Sequence, residues 1–162
     1  MKKIIAFTFI VLSLVMVAAP SYAGDKPIQI ALFAPVQIFP QDQSIAGLRL
    51  SLIYGSNANV TGLDAGLVTK TSGDFKGIQW GLVHMVDGNA TGIQWGGVNL
   101  TDGNFTGIQY GWFNSAGHME GLQLGLLNTT KTAHGVQIGL LNFIKTGGFM
   151  PFFPIVNWSF NK

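Results

Sequence analysis

From residue 46 to residue 149 the chain repeats itself, and no other feature restricts its fold as strongly. The clearest copy is TGIQWGGVNLTDGNF, starting at Thr91. Thr61 starts TGLDAGLVTKTSGDF, Lys76 starts KGIQWGLVHMVDGNA, Thr106 starts TGIQYGWFNSAGHM, Glu120 starts EGLQLGLLNTTKTA and His134 starts HGVQIGLLNFIKTG. A blurred copy, AGLRLSLIYGSNANV, opens at Ala46, so seven copies follow one another at spacings of fifteen and then fourteen residues. A fixed period means one supersecondary unit stacked on its neighbours, each burying what a single unit cannot bury alone.

Within a copy, side-chain character alternates with period two, which is strand periodicity. In the copy at Thr91, the sequence places Ile93, Trp95 and Asn99 on one face and Gly92, Gln94, Gly96 and Val98 on the other. Across copies the first face is apolar, running Leu63, Ile78, Ile93, Ile108, Leu122, Val136 and then Ala65, Trp80, Trp95, Tyr110, Leu124, Ile138. The second face carries a polar residue flanked by glycine: Asp64, Gln79, Gln94, Gln109, Gln123 and Gln137, with Arg49 in the blurred copy. Few charges, many glycines and abundant β-branched and aromatic residues fit a single all-β domain.

Two stackings of these strands are open. If the chain folds back at Asp102-Gly103, a pair suited to a two-residue hairpin turn, Trp95 falls opposite Tyr110, Gln94 across from Gly111, and Gln109 across from Gly96. The motif then complements itself read antiparallel. The expected architecture is an up-and-down antiparallel meander of about eight or nine strands, enough to close into a small barrel. The alternative is a parallel β-solenoid with one repeat per coil, in which Gln stacks on Gln and Asn99, Asn114, Asn128 and Asn142 form a ladder. Against the solenoid stands the thin interior of a fifteen-residue coil, which has little room for Trp80, Trp95 and Tyr110.

The flanks of the repeats are of a different kind. Residues 1–23 have Lys2 and Lys3, an apolar run and a small-residue end at Ser21 and Ala23, the pattern of a secretory signal peptide cleaved after Ala23. Without those residues the remaining seven basic and seven acidic side chains balance, so no basic patch argues for nucleic acid or anionic lipid. The chain has no cysteine, hence no disulfide and no lipid anchor through a thiol. Residues 24–45 read as a proline-broken edge strand and residues 150–162 as a similar closing strand, capping the sheet or sealing it.

Catalytic and metal chemistry finds little support. His84 holds the position of Asn99 and Asn114 in other copies, His134 that of Thr91 and Thr106, and His118 falls in a turn; none comes with a nucleophile and an orienting group. Asp74, Asp87 and Asp102 sit in or beside Gly-containing turns, where aspartate is favoured for backbone reasons, and no cofactor or metal is expected. Two rows remain as candidate sites. Arg49, Asp64, Gln79, Gln94, Gln109, Gln123 and Gln137 form either a buried structural row with one ion pair or a polar lumen or groove. Trp80, Trp95, Tyr110 and Trp112 form an aromatic contact face, a core or a lipid-facing band.

The recurring G-[IL]-Q-x-G-x-[VL]-N, the opening PIQIALFAPVQIFP and the ending FFPIVNWSF resemble exported bacterial surface-repeat proteins of the leptospiral type. The chain departs from the pattern at Asp64, Gly97, His84 and Thr69. The resemblance implies a surface or envelope location and brings no catalytic residue. Together these readings point to a non-enzymatic envelope protein with a structural or binding role, at the outer membrane or cell surface or otherwise in the periplasm. Its partners would be the outer membrane or envelope proteins, not nucleic acid. A small outer-membrane barrel with a polar Gln/Arg/Asp lumen is the alternative.

Overall fold

The computed structural model describes residues 24–160, so the expected signal peptide lies outside the described residues. Among these residues there is no helix. Nine strands form one sheet: β1 (Lys26–Phe33), β2 (Val36–Gln37), β3 (Ile45–Asn57), β4 (Val60–Thr71), β5 (Phe75–Val86), β6 (Ala90–Trp95), β7 (Val98–Tyr110), β8 (Phe113–Ile144) and β9 (Phe152–Ser159). From β1 through β3 to β8, β2 excepted, every strand pairing is parallel, and the pairs within the repeats are equivalent positions: Thr61 with Lys76, Thr91 with Thr106, Thr106 with Glu120. The chain is a β-solenoid with one repeat per coil. The antiparallel meander, its hairpin at Asp102-Gly103 and its closure into a barrel do not form.

The objection raised by the thin interior is answered by the aromatic side chains lying outside it. Trp80, Trp95, Tyr110 and Trp112 are 66, 57, 50 and 64 % exposed. What fills the coil instead are the Gln and Asn rows, small enough to fit and joined head to tail. Trp95 does neighbour Tyr110, rings 5.4 Å apart and edge to face, but through the parallel register.

The alternation expected along a copy is broken once. After Trp95 the chain turns sharply at residues 96–97 and resumes as β7, which shifts the phase. Asn99 is consequently buried with Gln94, while Val98 faces outward with Ile93 and Trp95. The two strands of a coil face each other across the interior, where Thr101 Oγ1 donates to Gln94 Oε1 at 3.3 Å. The space beside Gly96 is taken by the His84 ring and the Asn99 amide, and not by Gln109 as the antiparallel register expects.

The step from fifteen to fourteen residues falls in the opposite turn. The register slips between Thr101 and Asn104, where Ala116-Gly117-His118 replaces Thr101-Asp102-Gly103-Asn104. One residue is lost at a solvent-facing loop, and Gln109 still pairs with Gln123 and Asn99 with Asn114. Insertions at loops of a solenoid leave the stacked rows intact.

Both ends of the coil are closed by antiparallel strands. β2 folds back on β1 after a cis Ala34-Pro35 bond, and β9 runs against the last coil, pairing Val136 with Trp158. The terminal strands thus cap opposite ends and do not meet. Pro27 and Pro35 at one end, and Pro151 and Pro154 at the other, interrupt edges on which a further strand would otherwise add. Phe149 stacks on Trp158 at 4.5 Å and seals the second end.

The apolar core is confined to one side of the interior. Ile45, Val60, Phe75, Phe105, Met119 and Ile144 are buried together behind the Asp-Gly and Ser-Gly turns. Towards the other turn, at residues 96–97, the interior is polar and the exterior apolar. Each coil is therefore inverted along its width.

Candidate functional site: a polar ladder beneath an apolar edge

Gln79, Gln94, Gln109, Gln123 and Gln137 are all at 0 % exposure, as is Arg49, and Asp64 is at 1 %. Parallel in-register stacking places identical amides one coil apart, about 4.8 Å, which suits one amide donating to the next. Gln94 Nε2 donates to Gln79 Oε1 at 2.7 Å, Gln109 to Gln94 at 2.7 Å, Gln123 to Gln109 at 2.6 Å and Gln137 to Gln123 at 2.7 Å. Gln79 Nε2 donates to Asp64 Oδ2 at 2.9 Å. All donors point towards the amino-terminal end, so aligned amide dipoles direct their positive ends at the Asp64 carboxylate. Asp64 is neutralised by Arg49, with Nε to Oδ1 at 2.7 Å and Nη2 to Oδ2 at 2.6 Å. The remaining guanidinium donors reach Lys70 O and Thr71 Oγ1. The ion pair expected in this row is Arg49–Asp64, and the two meet as neighbours in the parallel register. The whole row is buried, each side chain bonded to the next.

A second ladder runs beside the first in the opposite sense. Asn99 Nδ2 donates to Asn114 Oδ1, Asn114 to Asn128 and Asn128 to Asn142, each at 2.8 Å. The opposed directions let the two lines of dipoles offset one another. The same amides also cap the turn at residues 96–97 from within. Asn99 Nδ2 donates to Tyr110 O at 3.0 Å, Asn114 to Leu124 O at 2.9 Å and Asn128 to Ile138 O at 3.0 Å. The backbone N–H groups of that turn bond from coil to coil, as Gly96 N to Tyr110 O, Gly97 N to Leu82 O and Leu126 N to Trp112 O.

His84 performs the Asn task in its coil. Its Nε2 lies 3.2 Å from Trp95 O, so the proton sits there, and Nδ1 accepts from Thr69 Oγ1 at 2.8 Å. Burial pushes its pKa below the ordinary 6.5, outweighing the Trp95 hydrogen bond and nearby Asp64, which favour the charged form. Asn99 Oδ1 is left without a donor, because the imidazole does not extend the ladder to it. An asparagine at 84 would donate to both Trp95 O and Asn99 Oδ1. His84→Asn is therefore expected to raise stability by about 1 kcal/mol at neutral pH. The unfolded chain takes up the imidazole proton as pH falls below about 6.5 while the folded chain resists, so His84 weakens the fold in acid and not above that pH. Urea unfolding from pH 8 to pH 5 should show a steeper loss of stability in the native protein than in His84→Asn. Parallel curves would contradict the neutral, buried imidazole.

Outside the coil, four rows meet at the 96–97 turn: those of Ile93, Trp95, Leu82 and Val98. No charged residue occurs in any of them. Trp112 takes its place in the Leu82 row. Ala65 interrupts the Trp95 row beside Trp80, leaving an open apolar hollow of 690 Å³ between Leu50, Leu67 and Leu82. The exposed charged side chains of the repeats collect on the opposite edge, with Asp74, Lys76, Asp87, Asp102, Glu120 and Lys131 at or beside the polar turns. Asp74 Oδ1 accepts Asn89 N at 2.7 Å, and Asp87 pairs with Lys70, which are structural uses of these carboxylates. His118 bonds Thr132 and His134 faces the Phe160 ring, so the three histidines occupy separate surroundings. No group of three or more His, Cys, Asp or Glu that could hold a metal ion occurs among the described residues.

The sequence places the aromatic row on the outside only as one of several options, and the ladder of Asn99, Asn114, Asn128 and Asn142 belongs to the solenoid alternative, where the structure finds it. The signal was the recurrence of Asn99, Asn114, Asn128 and Asn142 at the coil spacing. Fold and site define a class, a capped β-solenoid with amide ladders inside and an apolar edge outside. Comparison with protein-family models, curated proteins and solved structures returns no match.

Proposed function

We propose that this is a non-enzymatic, exported envelope protein that acts as a contact scaffold, with the four uncharged rows as its contact surface. The observation that carries the reading is that edge. The exposed parts of Trp80, Trp95, Tyr110 and Trp112 alone amount to roughly 350–600 Å², taking about 150–250 Å² for each aromatic side chain. That already falls in the range of the largest apolar patch of an ordinary soluble monomer, about 300–600 Å², before the leucines are counted. A signal-like leader, balanced charge and the resemblance of the repeats to exported surface-repeat proteins support the location. The rigid row of interlocked amides supports a scaffold, since it has nothing to exchange with solvent.

Expression in a Gram-negative host tests this. The expected result is cleavage after Ala23, read by mass, and recovery in the envelope fraction. Intact leader and cytoplasmic recovery would refute export.

A further inference from the structure

Resting on that contact-surface reading, we propose that the occupant of the apolar edge is a lipid leaflet, into which the solenoid sinks lengthwise without crossing it.

Three features of the molecule select lipid over a protein partner. The edge is a two-sided wedge indented by the hollow at Ala65: the Trp95 and Val98 rows face opposite sides of the turn that Trp112 and Leu126 crown. A flat partner, or the same edge of a second copy, covers one side of such a wedge, whereas a fluid covers both. The polar backbone of the turn is also already satisfied. Its N–H groups bond between coils, and the Asn ladder caps the carbonyls of Tyr110, Leu124 and Ile138 from inside. Immersion in hydrocarbon penalises unpaired backbone groups above all else, and this turn offers few. The third feature is depth. From the tip to the Ile93 row is about four residues of bent chain, of which two are extended strand rising roughly 7 Å. That matches the 5–10 Å typical of interfacial segments and falls far short of the approximately 30 Å hydrocarbon core. The charges on the opposite edge then stay in water. They are of mixed sign, so the headgroup charge has no part in binding.

The protein, purified as the exporting host processes it, is mixed with phosphatidylcholine vesicles and floated on a density gradient. It is expected to rise with the vesicles equally at low and high salt and with or without anionic lipid. Tryptophan emission should be quenched more by bromine near the headgroup end of the acyl chain than by bromine near the bilayer centre. Leu126→Glu, and Leu67→Glu in another coil, should reduce partitioning by roughly tenfold or more, as for any charge carried into the acyl region. Both sites are solvent-facing, so their thermal unfolding should stay close to the native protein's. Asp102→Lys on the polar edge should change nothing.

Failure to float, with a dimer in solution whose tryptophans are shielded from aqueous quencher, overturns the lipid and leaves the contact surface standing with a second copy on it. Failure to float as a monomer with open tryptophans removes both readings. Strongest quenching at the bilayer centre overturns shallow immersion in favour of a spanning form.

Discussion

Arg49→Gln alone is expected to destabilise the protein by about 3–5 kcal/mol, because it strands the Asp64 carboxylate in the interior. Asp64→Gln alone should be comparably damaging for the opposite reason, leaving a guanidinium with no counter-charge. The double change Arg49→Gln with Asp64→Gln should recover most of the loss. It turns the first two coils into the pattern of the next five, with Gln79 donating to an amide oxygen in place of a carboxylate. Replacement of a buried ion pair by groups of similar size that satisfy each other is often neutral or stabilising. Urea denaturation of the four proteins forms a thermodynamic cycle whose coupling term is large only if the pair is isolated from water and bonded as described. Additive single effects would mean that the carboxylate and the guanidinium find other partners.

Gly92→Ala is expected to be as severe, about 4 kcal/mol or more, enough to leave little folded protein. Gly92 has φ of 126°, where side chains are strongly disfavoured, and a Cβ there would stand well inside van der Waals contact of the Gly77 carbonyl oxygen. The neighbouring glycines at 77 and 107 share both features, so the effect belongs to the coil-to-coil approach and not to one site. Gly147→Ala separates the two causes: its φ is 78°, but nothing lies within 4 Å of the added atom. Its cost should be only the roughly 1–2 kcal/mol of a left-handed residue with a side chain. Val98→Ile, on the outer face, should fall within about 0.5 kcal/mol of the native protein. Thermal melts that rank Gly92→Ala no worse than Gly147→Ala would contradict close stacking of the coils.

How much of this was legible beforehand follows from what each residue type reports. Gln94 flanked by glycines announces a crowded polar position, and the recurrence from Gln79 to Gln137 announces a row. Neither says which way the neighbouring strand runs. In the antiparallel register Gln faces glycine, and in the parallel one Gln faces Gln. Both leave room for the amide, so local complementarity does not discriminate between them. The aromatic row misleads for a related reason. Large apolar side chains are normally inside, and Trp95 outside with Gln94 inside reverses that expectation. Period-two counting puts Asn99 on the wrong face because it runs through the bend at residues 96–97, where the chain loses phase.

The sequence by itself determined the repeat, its length, the all-β character and the composition of every row, since these depend only on periodicity along the chain. Only the tertiary structure decided that the rows stack on themselves, that the amides face in and the tryptophans out, and that Arg49 meets Asp64 as the end of a ladder. The physical reason is that a buried amide is tolerable only when its partner is in place. That partner lies one full coil away, held there by hydrogen bonds between strands whose direction no single repeat encodes.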